Sequence, residues 1–153
     1  MKCPVAFVAL AALALSSCHP SRGGHASAGD LVVTHAVIPA PPSRAEASAF
    51  LVITNRGGTP VTFTGALTAA ADSVLIHRLV GGLMQPAMPV EVPPHGFVNF
   101  VPGGYHLMLE SLRRPLAVGD TVTLQLLFAT AGPVTVRAPV LNYTEAVSEL
   151  PLR

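Results

Sequence analysis

The chain has almost no lysine: Lys2 is the only one in 153 residues. It has no tryptophan, and charged residues make up 11% of it, for a net charge of +1 at pH 7. Nucleic-acid partners are held by a dense field of Lys and Arg that displaces counterions, so that class is excluded. Cysteine is nearly absent too: the only two are Cys3 and Cys18. Everything after residue 18 therefore lacks a thiol, which excludes disulfides, thiolate nucleophiles and thiolate-ligated metals from the downstream domain. No apolar run reaches the ~20 residues that a membrane-spanning helix needs. Asp72, Ser73 and His77 lie close together, but sequence proximity builds no base–nucleophile geometry and no nucleophile elbow is present. The glycine pairs at 57–58, 81–82 and 103–104 are turn residues, not phosphate cradles. The chain reads as a binding protein, not an enzyme.

What is present begins with an apolar start. Met1-Lys2 precedes "CPVAFVALAALAL" and then "SSC", the layout of an export signal over residues 1–17. Leu15 to Cys18, "LSSC", matches the lipobox of bacterial lipoproteins, with Cys18 as the lipidated residue. The expected location is the periplasmic side of the cell envelope, with membrane contact only through the lipid anchor. Residues 18–30, "CHPSRGGHASAGD", read as a flexible tether that carries His19 and His25, side chains able to hold a metal ion loosely.

From residue 31 to 141 the pattern is all-β. "LVVTHAVI", "EASAFLVITN", "PVTFTGAL", "SVLIHRL", "VEV", "GFVNFV", "YHLMLESL", "TVTLQLLFAT" and "PVTVRAPV" are short strand candidates separated by Pro- and Gly-containing turns. Such spacing describes a sandwich or barrel in a single domain. "RGGT" between the second and third reads as a hairpin turn. Only "TAAADS" offers a short helical turn, and residues 142–153 read as an irregular tail. His35 is expected on the surface of an edge-like first strand, and His95 in a solvated turn.

The chemistry concentrates in two segments. In "YHLMLESL", alternation puts His106 and Met108 on one face and Leu107 and Leu109 on the other. Alone, a strand histidine is usually solvated or satisfied and a methionine usually fills core. However, His77 lies in the strand before, and the three methionines beyond Met1 are Met84, Met88 and Met108, all near these histidines. Imidazole with thioether is a soft ligand set, suited to Cu(I) and poor for Mg, Ca or Mn. Zinc rarely takes methionine. Copper is the physical reading.

Here the chain resembles the PCu(A)C-type periplasmic copper chaperones. The likeness spans about Leu31 to Val140 and is carried by "AFLVITNRGG", "SVLIH", "VPPHGFVNFVPGGYHLML" and "RRPLAVGDTVTLQLLF". It implies a cupredoxin-like Greek-key β-sandwich, monomeric as a domain, that binds one Cu(I) through two His and two Met. It also implies a copper-accepting partner, a cytochrome oxidase subunit or its assembly factors. The family pattern is His, ten residues, Met, about twenty-one residues, His, one residue, Met. This chain departs from it: ten residues separate His77 from Met88 but seventeen separate Met88 from His106, whereas Met84 stands six from His77 and twenty-one from His106. An ungapped match from "MQP" to "PGGYH" favours Met84 and puts the deletion in the "VGG" turn, where shortening is tolerated. The expected ligands are thus His77, Met84, His106 and Met108, with Met88 as the alternative loop ligand. Blue-copper electron transfer is excluded, because it needs a Cys. Two other readings stand beside delivery: envelope copper storage or resistance, and a structural lipoprotein whose metal site has decayed.

Overall fold

Apolar residues alternate along most of the strands, and alternation requires each strand to bury one face. The computed structural model describes residues 22–87 and 89–151; Cys18, His19 and Met88 lie outside them. The elements are β1 (Gly24–Ala28), β2 (Leu31–Pro39), β3 (Glu46–Asn55), β4 (Val61–Leu67), β5 (Ala71–Val80) and β6 (Leu83–Pro86). They continue with β7 (Val90–Val92), β8 (Gly96–Phe100), β9 (Tyr105–Leu112), β10 (Thr121–Phe128), β11 (Val134–Leu141) and a helix, α1 (Tyr143–Ser148). Among the described residues no helix is long and apolar enough to cross a membrane.

The fold is a cupredoxin-like Greek-key sandwich. One layer runs β6-β5-β9-β3-β2-β1, with β8 pairing beside β9 along β3. The other runs β11-β10-β4-β7. A short parallel contact, Val140 to Ile38 and Leu141 to Pro39, joins the layers at a corner. Between them lies one core: Leu51, Ile53, Leu107 and Leu109 from the first layer meet Phe63, Leu124, Leu126 and Val136 from the second. Phe63 sits at its centre, edge-on to Phe100 at 5.4 Å and tilted against Phe128 at 5.6 Å.

The "RGGT" segment, expected to be a hairpin turn, joins the two layers instead. β3 and β4 do not pair; β3 bonds to β2, β8 and β9, while β4 bonds to β10 and β7. The crossover is held by Asn55, which is buried. Its Oδ1 accepts from the Gly57 N–H, and its Nδ2 donates to the carbonyls of Thr59 and Val92. An asparagine so satisfied turns the chain locally without needing strand pairing.

Three further stretches differ from the sequence reading. Within the expected tether, residues 24–28 form β1, paired antiparallel to β2; β2 is therefore an interior strand and not an edge. Gly24 permits this approach, because a Cβ there would overlap the Arg137 carbonyl. "TAAADS" is not helical: the Thr68 hydroxyl accepts from the Ala70 N–H, and β5 starts at Ala71. In the tail, Asn142 caps α1 by accepting the Glu145 N–H. Asn-x-x-Glu is an N-cap pattern, and α1 buries Ala146 in a small cluster with Val37, Phe50, Leu141 and Leu150.

Candidate metal centre

The outer face of the first layer carries His77, Met84, His106 and Met108, and strand register puts them there. β5 and β9 run antiparallel with His77 directly opposite His106. Directly paired residues project to the same side of a sheet, so the imidazoles share a face. Met108 follows two residues on and pairs with Leu75 of β5 and Ser48 of β3, again on that face. On the far side of β5, Leu79 pairs with Met84 of β6. Leu79 is two residues from His77, so Met84 joins the same side.

Met84 was expected on a loop; it lies on β6. The reason is the turn. Gly81 and Gly82 have φ of 58° and 81° and are the whole connection between Val80 and Leu83. Two consecutive positive φ values make the two-residue hairpin that matches strand twist. The shortened segment thus folds back as an edge strand, and its thioether is half-exposed on the histidine face.

The two rings stand 5.9 Å apart, centre to centre, and nearly perpendicular. Metal–imidazole bonds of ~2.0–2.1 Å put each ring centre roughly 3.2 Å from a bound ion, so rings up to about 6.4 Å apart can share one. His106 is 4% exposed. Its Nδ1 lies 3.3 Å from the Gly104 carbonyl, which as donor–acceptor pair leaves Nε2 with the free lone pair. His106 Nε2 and His77 Nδ1 are buried and have no hydrogen-bond partner. Leaving a buried polar atom unpaired costs ~1–3 kcal/mol, and buried nitrogens of this kind suit a metal ion.

Burial holds the His106 imidazole below the usual histidine range; the Gly104 carbonyl opposes this shift and the neighbouring His77 adds to it. The neutral ring, the form that binds metal, is therefore favoured. The unfolded chain takes up the proton first as pH falls, so the contribution is complete above the unfolded value of ~6.5 and is lost as pH drops through the lower folded value. Thermal melts of the metal-free protein should show Tm declining below about pH 6.5, and His106→Gln should flatten that decline. A decline of equal steepness in the variant would assign it to other groups.

Met84 and His106 open on one shallow cleft of about 130 Å³, with Ser48, Phe50, Leu79, Pro102 and Gly103. Met108 opens on the adjoining groove of about 290 Å³, and Ser48 and Phe50 form the wall common to both. The Phe50 ring lies 6.4 Å from that of His106. Of the expected ligands, the structure brings the two histidines side by side, ring edge to ring face, and Met84 into the cleft that His106 lines. Met108 shares the face but stands one wall away, a distance that a side chain with three rotatable torsions can span. Met88 is outside the described residues. Among those residues, no three His, Cys, Asp or Glu side chains gather to hold a metal, so this site offers imidazole and thioether instead of a hard donor set. Glu46 and Glu110, paired across β3 and β9, place two carboxylates at the end of the face beyond Met108 and favour the approach of a cation. Ser48, Phe50 and Leu79 escaped sequence reading because they meet the site only through long-range pairing.

Relatives agree with this architecture. Residues 31–140 match the family model described as "Putative lipoprotein LpqE-like". A protein of Leifsonia xyli subsp. xyli described as "Putative lipoprotein Lxx21020" is 30% identical over 104 residues, covering 65% of this chain and 63% of that one; the chain thus spans less than two thirds of that relative. The structure titled "Copper-bound PCuAC domain from PmoF2" is 27% identical with a TM-score of 0.67, covering 77% of this chain and 98% of that one. CuI-DR1885 from Deinococcus radiodurans is 29% identical with a TM-score of 0.60, covering 71% and 76%. With the fold and the family match in agreement, this chain belongs to the LpqE-like family and is of the PCuAC type.

Proposed function

We propose that this protein is a Cu(I) metallochaperone anchored in the cell envelope through Cys18 and facing the periplasmic side. It holds one Cu(I) through His77, Met84, His106 and Met108 and passes it by ligand exchange to a copper-accepting protein, on the route to cytochrome oxidase. It acts as a monomeric carrier without a catalytic step. The observation that carries the reading is the direct pairing of His77 with His106, whose buried Nδ1 and Nε2 have no partner. The donor set is soft, and the similar domains include copper-bound forms. Unpartnered buried nitrogens speak against a purely structural lipoprotein, since an apolar pair would pack there at less cost. Half-exposure of Met84 at a sheet edge favours transfer over storage, because an incoming ligand can displace it from solvent.

X-ray absorption of the Cu(I) form tests the ligand set by counting neighbours. Two nitrogens and two sulfurs are expected, with one sulfur lost in Met84→Leu and none in Met88→Leu. A first shell without sulfur would sink the assignment. Delivery is tested separately: a deletion strain with normal copper content in its oxidase would remove the oxidase route while leaving copper binding intact.

A further inference from the structure

A second pair of histidines, His25 and His35, stands on adjacent strands of the same layer, away from the first. β1 and β2 pair Gly24 with Ala36 and Ala26 with Val33, with a register shift between. One residue of β1, His25, therefore stands opposite two of β2, Thr34 and His35. Such a two-against-one arrangement is a β-bulge. Val33 and Ala36 are fully buried and Ala26 packs on the core, so these residues define the inward side. His25, between Gly24 and Ala26, points outward and is exposed. The His35 ring bonds the Thr34 hydroxyl through Nδ1 at 2.8 Å, so Nε2, on the other side of the ring, points away from that contact.

His35 occupies a backbone position with φ of 57°. At a bulge this left-handed conformation is ordinarily taken by glycine. A residue with a side chain is strained there, and strain of this kind gathers at ligand sites. The Thr34 contact is what a metal-binding histidine commonly has: one ring nitrogen tied to a second group, the other free for the ion.

We propose that His25 and His35 form a second metal site, for a divalent ion of intermediate softness such as Zn(II) or Cu(II). Two imidazoles without thioether suit those ions better than Cu(I). Across the bulge His25 faces both Thr34 and His35; facing strand residues have Cβ atoms about 4.5–5.5 Å apart and diagonal ones about 7–8 Å, a span that rotation of the exposed His25 ring closes so that both imidazoles reach an ion at ~2.0–2.1 Å from each. Water completes the coordination. Arg56 lines the same surface hollow as His25, and its positive charge keeps the affinity modest. This site does not depend on the Cu(I) reading, since it shares no residue with it.

Zn(II), which has no redox chemistry, is the probe. The purified protein is titrated with it while the imidazole C–H resonances are followed by NMR. The His25 and His35 signals should move together with a single dissociation constant. His25→Ala and His35→Gly should each weaken that constant roughly tenfold or more. His35→Gly should also melt no lower than wild type, because glycine accepts the bulge conformation freely, so loss of binding there is not loss of fold. Wild-type signals that stay still, or variants that bind Zn(II) as the parent does, overturn the proposal.

Discussion

His106→Ala should lower the affinity for Cu(I) roughly 100-fold or more, equivalent to about 2.7 kcal/mol. The variant removes the buried imidazole of the pair and leaves His77 opposite a methyl group. Outer-sphere changes at metal sites already cost 10–100-fold, and a direct ligand should cost no less. The metal-free fold should tolerate the change, because the lost side chain makes one hydrogen bond, at 3.3 Å to the Gly104 carbonyl, and carries an unpaired buried nitrogen. His77→Ala should have the same effect, and the double variant should be little worse than either, since the pair acts as one unit. Competition against a Cu(I) chelator reads the difference. A His106→Ala protein that holds Cu(I) as tightly as wild type would take the copper reading with it.

Phe63→Ala should destabilise the protein by about 3–5 kcal/mol, against a typical total of 5–15 kcal/mol for a domain. Phe63 is fully buried and belongs to the second layer, where it faces Phe100 of the first. The substitution opens a cavity and removes two aromatic contacts, to Phe100 and Phe128. Denaturant unfolding measures it. Below the transition, Cu(I) affinity should be unchanged, because the ligands lie on the opposite face of the first layer. A cost under about 1 kcal/mol would mean that the layers do not pack through Phe63.

The strand candidates of the central region were legible because their alternation is a local property. "YHLMLESL" shows its two faces by itself, and β9 buries Leu107 and Leu109 as that pattern requires. β1 was not legible: "GHASA" has no apolar alternation, and it becomes a strand because β2 offers it an edge and Gly24 fits against Arg137. β6 was hidden for a related reason. "LMQP" is four residues long and exposed throughout, and only the Gly81-Gly82 turn folds it onto β5. The helix at Tyr143–Ser148 had its signal in Asn142 and Glu145, masked by the brevity of the segment.

Residue types alone determined the chemistry: without a thiol in the domain, and with His and Met as the available soft and intermediate donors, Cu(I) was the ion that fitted. They also determined the all-β class, since two-residue alternation is written into each segment. Tertiary structure decided which donors meet. The pairing of His77 with His106, the arrival of Met84 on their face, the wall between Met108 and that cleft, and the crossing of β3 to β4 all depend on which strands become neighbours. Strand partnership is set by burial of a shared core between residues far apart in the chain, and no local pattern contains it.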